Sequence, residues 1–292
     1  MEMITAVLGV TVPIFLIVAV GYGYGRVHPD GIEFVNRINL TLFIPPLLFF
    51  VLSEKIPADL EWGGIVIGAA MVVLGSGLLA WPVARGLKLP VKALVPTAMM
   101  NNCGNLGLPL TLLAFGETAL PLAVVTFVVY VALHFTVGIW LVRGRLDLSL
   151  LVKNPIVIAT ALGFGFYLAG LHAPAMMLPG IEMLSDVAIP LMLVALGVRL
   201  TDVDLTHWRI GLIGAALAPA TGIVCAGGAI WLLGLDPLTA KVLILFGALP
   251  PAVMNYLLAE RYDACPAEVA TIVGFGNLAA LAVIPAVLLF IL

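Results

Sequence analysis

The sequence predicts an all-α membrane protein of ten transmembrane helices, arranged as two inverted five-helix repeats with broken crossover helices 4 and 9. Three observations carry that expectation. The composition is too apolar for a water-facing domain, the loops between ten apolar segments alternate in charge, and short matches link the two halves at a nearly constant offset.

Of the 292 residues 63% are hydrophobic and 10% are charged, against roughly 25% charged in a soluble domain. Most of the surface must therefore face lipid. Crossing a hydrocarbon layer of about 30 Å takes roughly 20 residues of helix. Cutting at charged and Pro/Gly-rich punctuation leaves apolar segments near 3–23, 35–52, 63–83, 93–114, 119–141, 154–171, 178–198, 208–233, 240–259 and 267–290. Only Glu2 precedes the first, with no basic stretch or cleavage site of a signal peptide, so it reads as a spanning helix. Cys103, Cys225 and Cys265 are isolated and lack the spacing of a metal site or disulfide framework, which makes them small apolar fillers. The net charge of −3 identifies no partner. No basic patch interleaved with aromatics points to nucleic acid.

The loops orient the chain. With the N-terminus outside, the cytoplasmic side holds Arg26, Arg37, Arg85, Lys88, Lys92, Arg143, Arg145, Lys153, Arg199, Arg209 and Arg261, eleven of the 13 basic residues, leaving only Lys55 and Lys241 opposite. Acidic residues divide evenly, as expected when Lys and Arg govern insertion. The expectation is a multi-pass protein of the cell inner membrane with both termini periplasmic or extracellular.

TrpGly at 62–63 echoes TrpArg at 208–209, PheIlePro at 43–45 echoes AlaIlePro at 188–190, and LAFGETA at 113–119 echoes LAERYDA at 258–264. These offsets predict halves 1–146 and 147–292. Five is odd, so the second copy would enter from the opposite face, an arrangement from which secondary transporters build alternating access.

The fourth segment reads ALVPTAMMNNCGNLGLPLTLLAF. Pro109 cannot donate a backbone hydrogen bond, and Gly104 and Gly107 ease departure from the helix, so a break is expected between Asn101 and Pro109. In the ninth segment, LFGALPPAVMNYLLAERY, Gly247, Pro250 and Pro251 interrupt, and Asn255 follows about one turn later. Breaks within a membrane are tolerated where protein or a water-filled cavity receives the freed backbone groups. The exposed starts of half-helices suit carboxylates, and amide side chains add donors without a fixed charge. Asn101, Asn102, Gly104, Asn105, Gly107, Pro109, Pro250, Pro251 and Asn255 form the predicted substrate site.

Charged groups inside a membrane are functional candidates. Glu182 and Asp186, one turn apart before Pro190, are candidates for proton coupling, with an exposed helix start as the plain alternative. Glu117 reads as an outer-loop residue and His134 as an interhelical hydrogen-bonding group. Asn36, Asn39 and Thr41 either cap the second segment or line an inner vestibule. GYGYG at 21–25 reads as helix packing and termination.

At this point NNCGNLGLPL, FIPPLLFF and ALPPAVMNYLLAERYDA resemble the auxin efflux carrier family, which includes plant PIN-type auxin exporters and bacterial carriers assigned to malonate or malate. The resemblance covers essentially all ten segments. It implies an organic anion held where helices 4 and 9 cross, with Asn102 matching the asparagine that contacts a carboxylate and Pro109 and Pro250 matching the crossover prolines. It also implies a scaffold of segments 1, 2, 6 and 7 and a transport domain of segments 3–5 and 8–10. A homodimer is compatible with such a scaffold.

The resulting expectation is a secondary transporter of a small mono- or dicarboxylate such as malonate or malate, without a cofactor and with H⁺ or Na⁺ as candidate coupling ion. An anion channel or passive pore stays open as an alternative, as do an intramembrane enzyme and a receptor. Against an enzyme, the chain lacks HExxH and GxSxG, and its four histidines are dispersed.

Overall fold

A chain this apolar has to close its backbone hydrogen bonds internally, and it does so with helices. The structure, a computed structural model, describes residues 2–28, 32–57, 62–145, 149–202 and 206–292. The expected boundary between halves at 146–147 lies outside the described residues.

The chain runs through α1 (Glu2–Val27), α2 (Ile32–Ile38), a π-turn at Asn39–Phe43, α3 (Ile44–Glu54), α4 (Trp62–Gly86) and α5 (Val91–Met99). A second π-turn at Cys103–Gly107 leads into α6 (Leu108–Phe115) and α7 (Leu120–Leu133). A third at His134–Gly138 leads into α8 (Ile139–Arg143), α9 (Ser149–Val152), α10 (Pro155–Leu168) and α11 (Leu178–Arg199). The remainder is α12 (Trp208–Leu233), α13 (Pro237–Gly247), α14 (Met254–Arg261) and α15 (Pro266–Ile291).

Local chemistry explains several of these limits. Asn154 caps α10 by accepting from the Ile156 N–H at 3.0 Å, with Pro155 in the first turn. Asp236 caps α13 from the Leu238 and Thr239 N–H groups at 2.9 and 3.1 Å, and α12 ends at left-handed Gly234. Pro45 and Pro46 cannot donate to the turn before them. There the ladder widens, and the Ile44 N–H bonds to the Asn39 carbonyl.

The expectation of ten spans in two inverted five-helix repeats is not met. Among the described residues seven helices are long and apolar enough to cross a membrane: 3–27, 34–54, 62–86, 117–143, 178–199, 208–233 and 266–291. The segments expected at 93–114, 154–171 and 240–259 contribute shorter apolar helices, 103–115, 155–169 and 237–247. Proline and glycine cut the first and third of these, and Gly170, in the left-handed region at φ 61°, stops the second. The two halves are also interrupted unequally. Helix is lost over Met100–Asn102 and followed by a π-turn in one half, and lost over 248–253 in the other.

Packing sorts the helices into two groups. In one, α1 lies on α11 and α3 on both α10 and α11; in the other, α12 lies on α15, α4 and α13, and α4 on α5 and α7. Small residues permit the close approaches. Gly197 faces the Val18 carbonyl and Gly21 the Val194 carbonyl, positions that a Cβ would fill. Outward-facing Leu16, Leu78, Trp231 and Phe290 are exposed, as lipid-facing positions of an embedded protein must be.

Candidate functional site

The two interruptions meet. At the end of α5, Met100 (φ −101°, ψ 87°) and Asn102 (φ −76°, ψ 56°) leave helical geometry. The stretch Met100–Asn102 then runs antiparallel to Pro250–Ala252, with Asn101 opposite Pro251. The Asn102 N–H donates to the Pro250 carbonyl at 2.7 Å, and the Ala252 N–H donates to the Met100 carbonyl at 2.8 Å. Backbone groups freed by each break are thus satisfied by the other break.

Side-chain amides brace this crossing. Asn101 Nδ2 donates to the Phe246 and Gly247 carbonyls at 3.0 and 3.3 Å, which closes the end of α13. Asn255 Nδ2 donates to the Met100 carbonyl at 2.9 Å. Asn102 Nδ2 donates to Asn277 Oδ1 at 3.2 Å, and Asn277 Nδ2 returns to the Pro251 carbonyl at 3.2 Å and the Val273 carbonyl at 2.8 Å. Four amides therefore hold three elements together.

Glycines let the elements close in. A Cβ on Gly107 would stand 2.9 Å from Leu249, one on Gly276 2.5 Å from Pro251 Cδ, and one on Gly222 of α12 would collide with the Gly247 carbonyl. Pro109 occupies the first turn of α6, where its missing N–H costs nothing. The break thus falls at Met100–Asn102, at the near edge of the expected interval.

Beside the crossing lies a cavity of about 430 Å³. Asn101, Asn102, Gly104 and Asn105 line it from the first break, and Ala252, Val253 and Met254 from the second. Two helical segments begin on its wall, at Cys103 and at Met254. First-turn N–H groups have no partner within their own helix and carry the positive end of its dipole. The Cys103 N–H is taken by the Asn101 carbonyl and the Asn255 and Tyr256 N–H groups by the Ala252 and Val253 carbonyls, which among the described residues leaves the N–H groups of Gly104, Asn105 and Met254 as the backbone donors on this wall. Each of the three π-turns adds lining residues: Asn39 and Thr41, Cys103 to Asn105, and His134 with Phe135. Asn36, Lys153 and Asn154 complete the wall toward the arginine-rich end. With its amide turned to satisfy both groups, Asn36 Oδ1 accepts from Arg199 Nε and Nη2 at 3.3 and 3.1 Å.

The opposite end is joined by ion pairs and hydrogen bonds. Lys55 Nζ stands 3.4 Å from Glu117 Oε2, and Glu54 meets His172 Nδ1 and the Ala173 N–H, each at 2.9 Å.

The family described as Membrane transport protein matches the chain over residues 6–148 and 145–288. The chain belongs to that family. An uncharacterized transporter of Methanocaldococcus jannaschii is 25% identical over 285 residues, covering 88% of this chain and 89% of the relative. Membership in the Membrane transport protein family makes the chain a transport protein and not an enzyme. Among the described residues no group of three or more His, Cys, Asp or Glu is placed to hold a metal.

Of the sequence-predicted residues, Asn101, Asn102, Gly104 and Asn105 reach the cavity wall. Gly107, Pro109, Pro250, Pro251 and Asn255 shape the crossing behind it. Glu182 and Asp186 are exposed on α11 and do not line the cavity. Sequence reasoning missed Asn277 and Tyr130 and gave Lys153 and Asn154 no place at a site. Asn277 carried one usable signal, a lone amide in the 26-residue apolar helix α15.

Proposed function

We propose that this transport protein is a secondary carrier of a small organic anion, a mono- or dicarboxylate held at the crossing of the two interruptions. The observation that carries the reading is that the unpaired N–H groups of Gly104, Asn105 and Met254, at the starts of two helical segments, lie on the wall of one cavity beside Asn102. Backbone donors and neutral amides suit a carboxylate, and Lys153 brings a positive charge to the same wall. About 430 Å³ lies within the usual range for small-molecule sites, about 300–1,000 Å³.

The arginine-rich end is cytoplasmic and both termini are outside, a reading supported by the Lys/Arg asymmetry. The cavity then faces inward, with Lys55–Glu117 and Glu54–His172 closing the outer side. Motion of the α4, α5, α7, α12, α13 and α15 group against the α1, α3, α10 and α11 group would expose the crossing alternately. That division is supported by the packing of each group on itself and corresponds to the transport and scaffold domains of the resemblance. Malonate and malate are the first acids to try, with H⁺ or Na⁺ as coupling ion. Glu182 and Asp186, exposed on α11, fit a partner or solvent-facing role better than a relay within the cavity; a second copy of the chain is the candidate partner.

The test is counterflow in liposomes with labelled malonate, malate and an aromatic acid. Saturable exchange of one acid, accelerated by unlabelled acid on the far side, is the expected result. Conduction that never saturates would replace the carrier with a pore, and silence toward all three acids in folded protein would remove the carboxylate.

A further inference from the structure

The cavity wall carries an unbalanced charge. Among the described residues that line it Lys153 is the only Lys or Arg, and no Asp or Glu joins it. A lysine at the end of a spanning segment ordinarily serves to orient the chain, but this one is set apart by its surroundings. Among the described residues no carboxylate stands within ion-pair distance of its Nζ. Its backbone is fixed on both sides: the Lys153 N–H donates to the Ser149 carbonyl at 3.2 Å, and the next residue, Asn154, caps α10. The side chain is exposed, so a mobile ammonium swings from an anchored stem. Arg199, the nearby cation at this end, is held by Asn36.

An unpaired charge beside apolar walls acts at a distance. Leu40, Ile44, Phe127, Phe135 and Ile156 line the same space, and walls of low dielectric focus the field of a charge along the cleft they enclose. An anion entering from this end is attracted before it reaches a hydrogen-bond donor. Position decides how long the attraction lasts. Lys153 lies at the junction of α9 and α10, and α10 packs on α3, which packs on α11. The N–H groups of Gly104, Asn105 and Met254 lie at the crossing, where α5 and α13 of the other packing group end. The charge and the backbone donors thus belong to groups that alternating exposure would move apart.

We propose that Lys153 is a one-sided affinity residue: it strengthens capture of the anion from the arginine-rich face and stays behind when the crossing moves, so the carrier binds its substrate more tightly from that face than from the other. This rests on the carboxylate and orientation readings above and adds an asymmetry to them. A difference in affinity drives no net transport by itself. It sets the concentration at which each face saturates, low inside and higher outside, which suits collection from the cytoplasm and release beyond it.

Half-saturation measured separately on the two faces tests it, with labelled malonate, malate and an aromatic acid exchanged by the full-length protein in inside-out and right-side-out membrane vesicles. Lys153→Gln should weaken the apparent affinity from the cytoplasmic face by about 3–30-fold, the range for a unit charge acting through a partly screened cleft, and leave the outer face unchanged. Lys153→Arg should restore it. Raising KCl from about 0.01 M to about 1 M, over which the screening length falls from about 30 Å to about 3 Å, should bring the wild type toward Lys153→Gln on the cytoplasmic face. Lys88→Gln, an exposed lysine outside the cavity wall, should change neither face, which separates a charge in the cavity from the general basicity of that end. Saturable exchange with unaltered affinity in Lys153→Gln would overturn the proposal while leaving carboxylate transport intact. Equal weakening on both faces would overturn the one-sidedness, because the lysine would then travel with the substrate. Silence of the folded wild type toward all three acids would remove the carboxylate reading, and this inference would fall with it.

Discussion

Asn101 and Asn102 are adjacent in the chain and have different work. Asn101 turns its Nδ2 to the end of α13, while Asn102 opens the next helical segment on the cavity wall and leans on Asn277. Asn277→Leu would leave the Asn102 amide and the Pro251 carbonyl without their partner, so a loss of about 1–3 kcal/mol is expected, read as a lowered thermal midpoint. Asp236 offers an acid-linked check outside the spanning segments. Burial raises its carboxyl, but hydrogen bonds from Thr239 and Leu238 outweigh that and hold it below the usual value. A depressed carboxyl stabilises the fold above its unfolded value of about 3.9 and loses that contribution as pH falls through the lower folded value. Asp236→Ala should cost about 1 kcal/mol near neutrality, and Asp236→Asn should keep the cap. The wild type should lose its advantage over Asp236→Ala only below about pH 4, measured by melting across pH. The asparagine cluster at 101–105 was legible in the sequence because polar groups beside Gly104 and Pro109 are expensive in lipid unless used. Tyr130 was not, since a lone Tyr in an apolar helix reads the same whether it packs or binds.

At the scale of the element, the two breaks were legible in position and their meeting was anticipated by the offset near 145. Asn101 reaches Phe246 across 145 residues and Gly247 across 146. The π-turns were not legible, because a ladder that widens by one residue leaves no composition signature, and His134–Gly138 contains no proline. Nor did the segmentation foresee that among the described residues only seven helices would reach spanning length, since hydropathy counts apolar residues and does not register where the helix stops. The crossing depends on Gly222, whose Cβ position is filled by the Gly247 carbonyl. Gly222→Val should separate α12 from the second break, costing more than about 2 kcal/mol in stability and suppressing transport. Gly227→Ala on the same helix, with nothing within 4 Å of its Cβ position, should leave both unchanged.

Over the whole molecule, one face of the crossing is a cavity and the opposite end is held by exposed contacts. Lys55 and Glu117 are 41% and 77% exposed, so their pair adds little stability, and Lys55→Gln should shift it by less than about 1 kcal/mol. Their positions still link the end of α3 to the turn that follows α6. Joining Lys55→Cys to Glu117→Cys with a short bifunctional thiol linker, in a protein whose three native cysteines are replaced, should arrest exchange without lowering the melting temperature. Continued exchange would show that this end does not open during transport. The central claim is that the substrate is carried at the crossing, and counterflow of the accepted acid by wild type and Asn102→Ala tests it most directly. Loss of one hydrogen bond to a charged group predicts an apparent affinity about 10–100-fold weaker, with the folded fraction preserved. Exchange by Asn102→Ala at the wild-type affinity would contradict the account and place the substrate elsewhere in the protein.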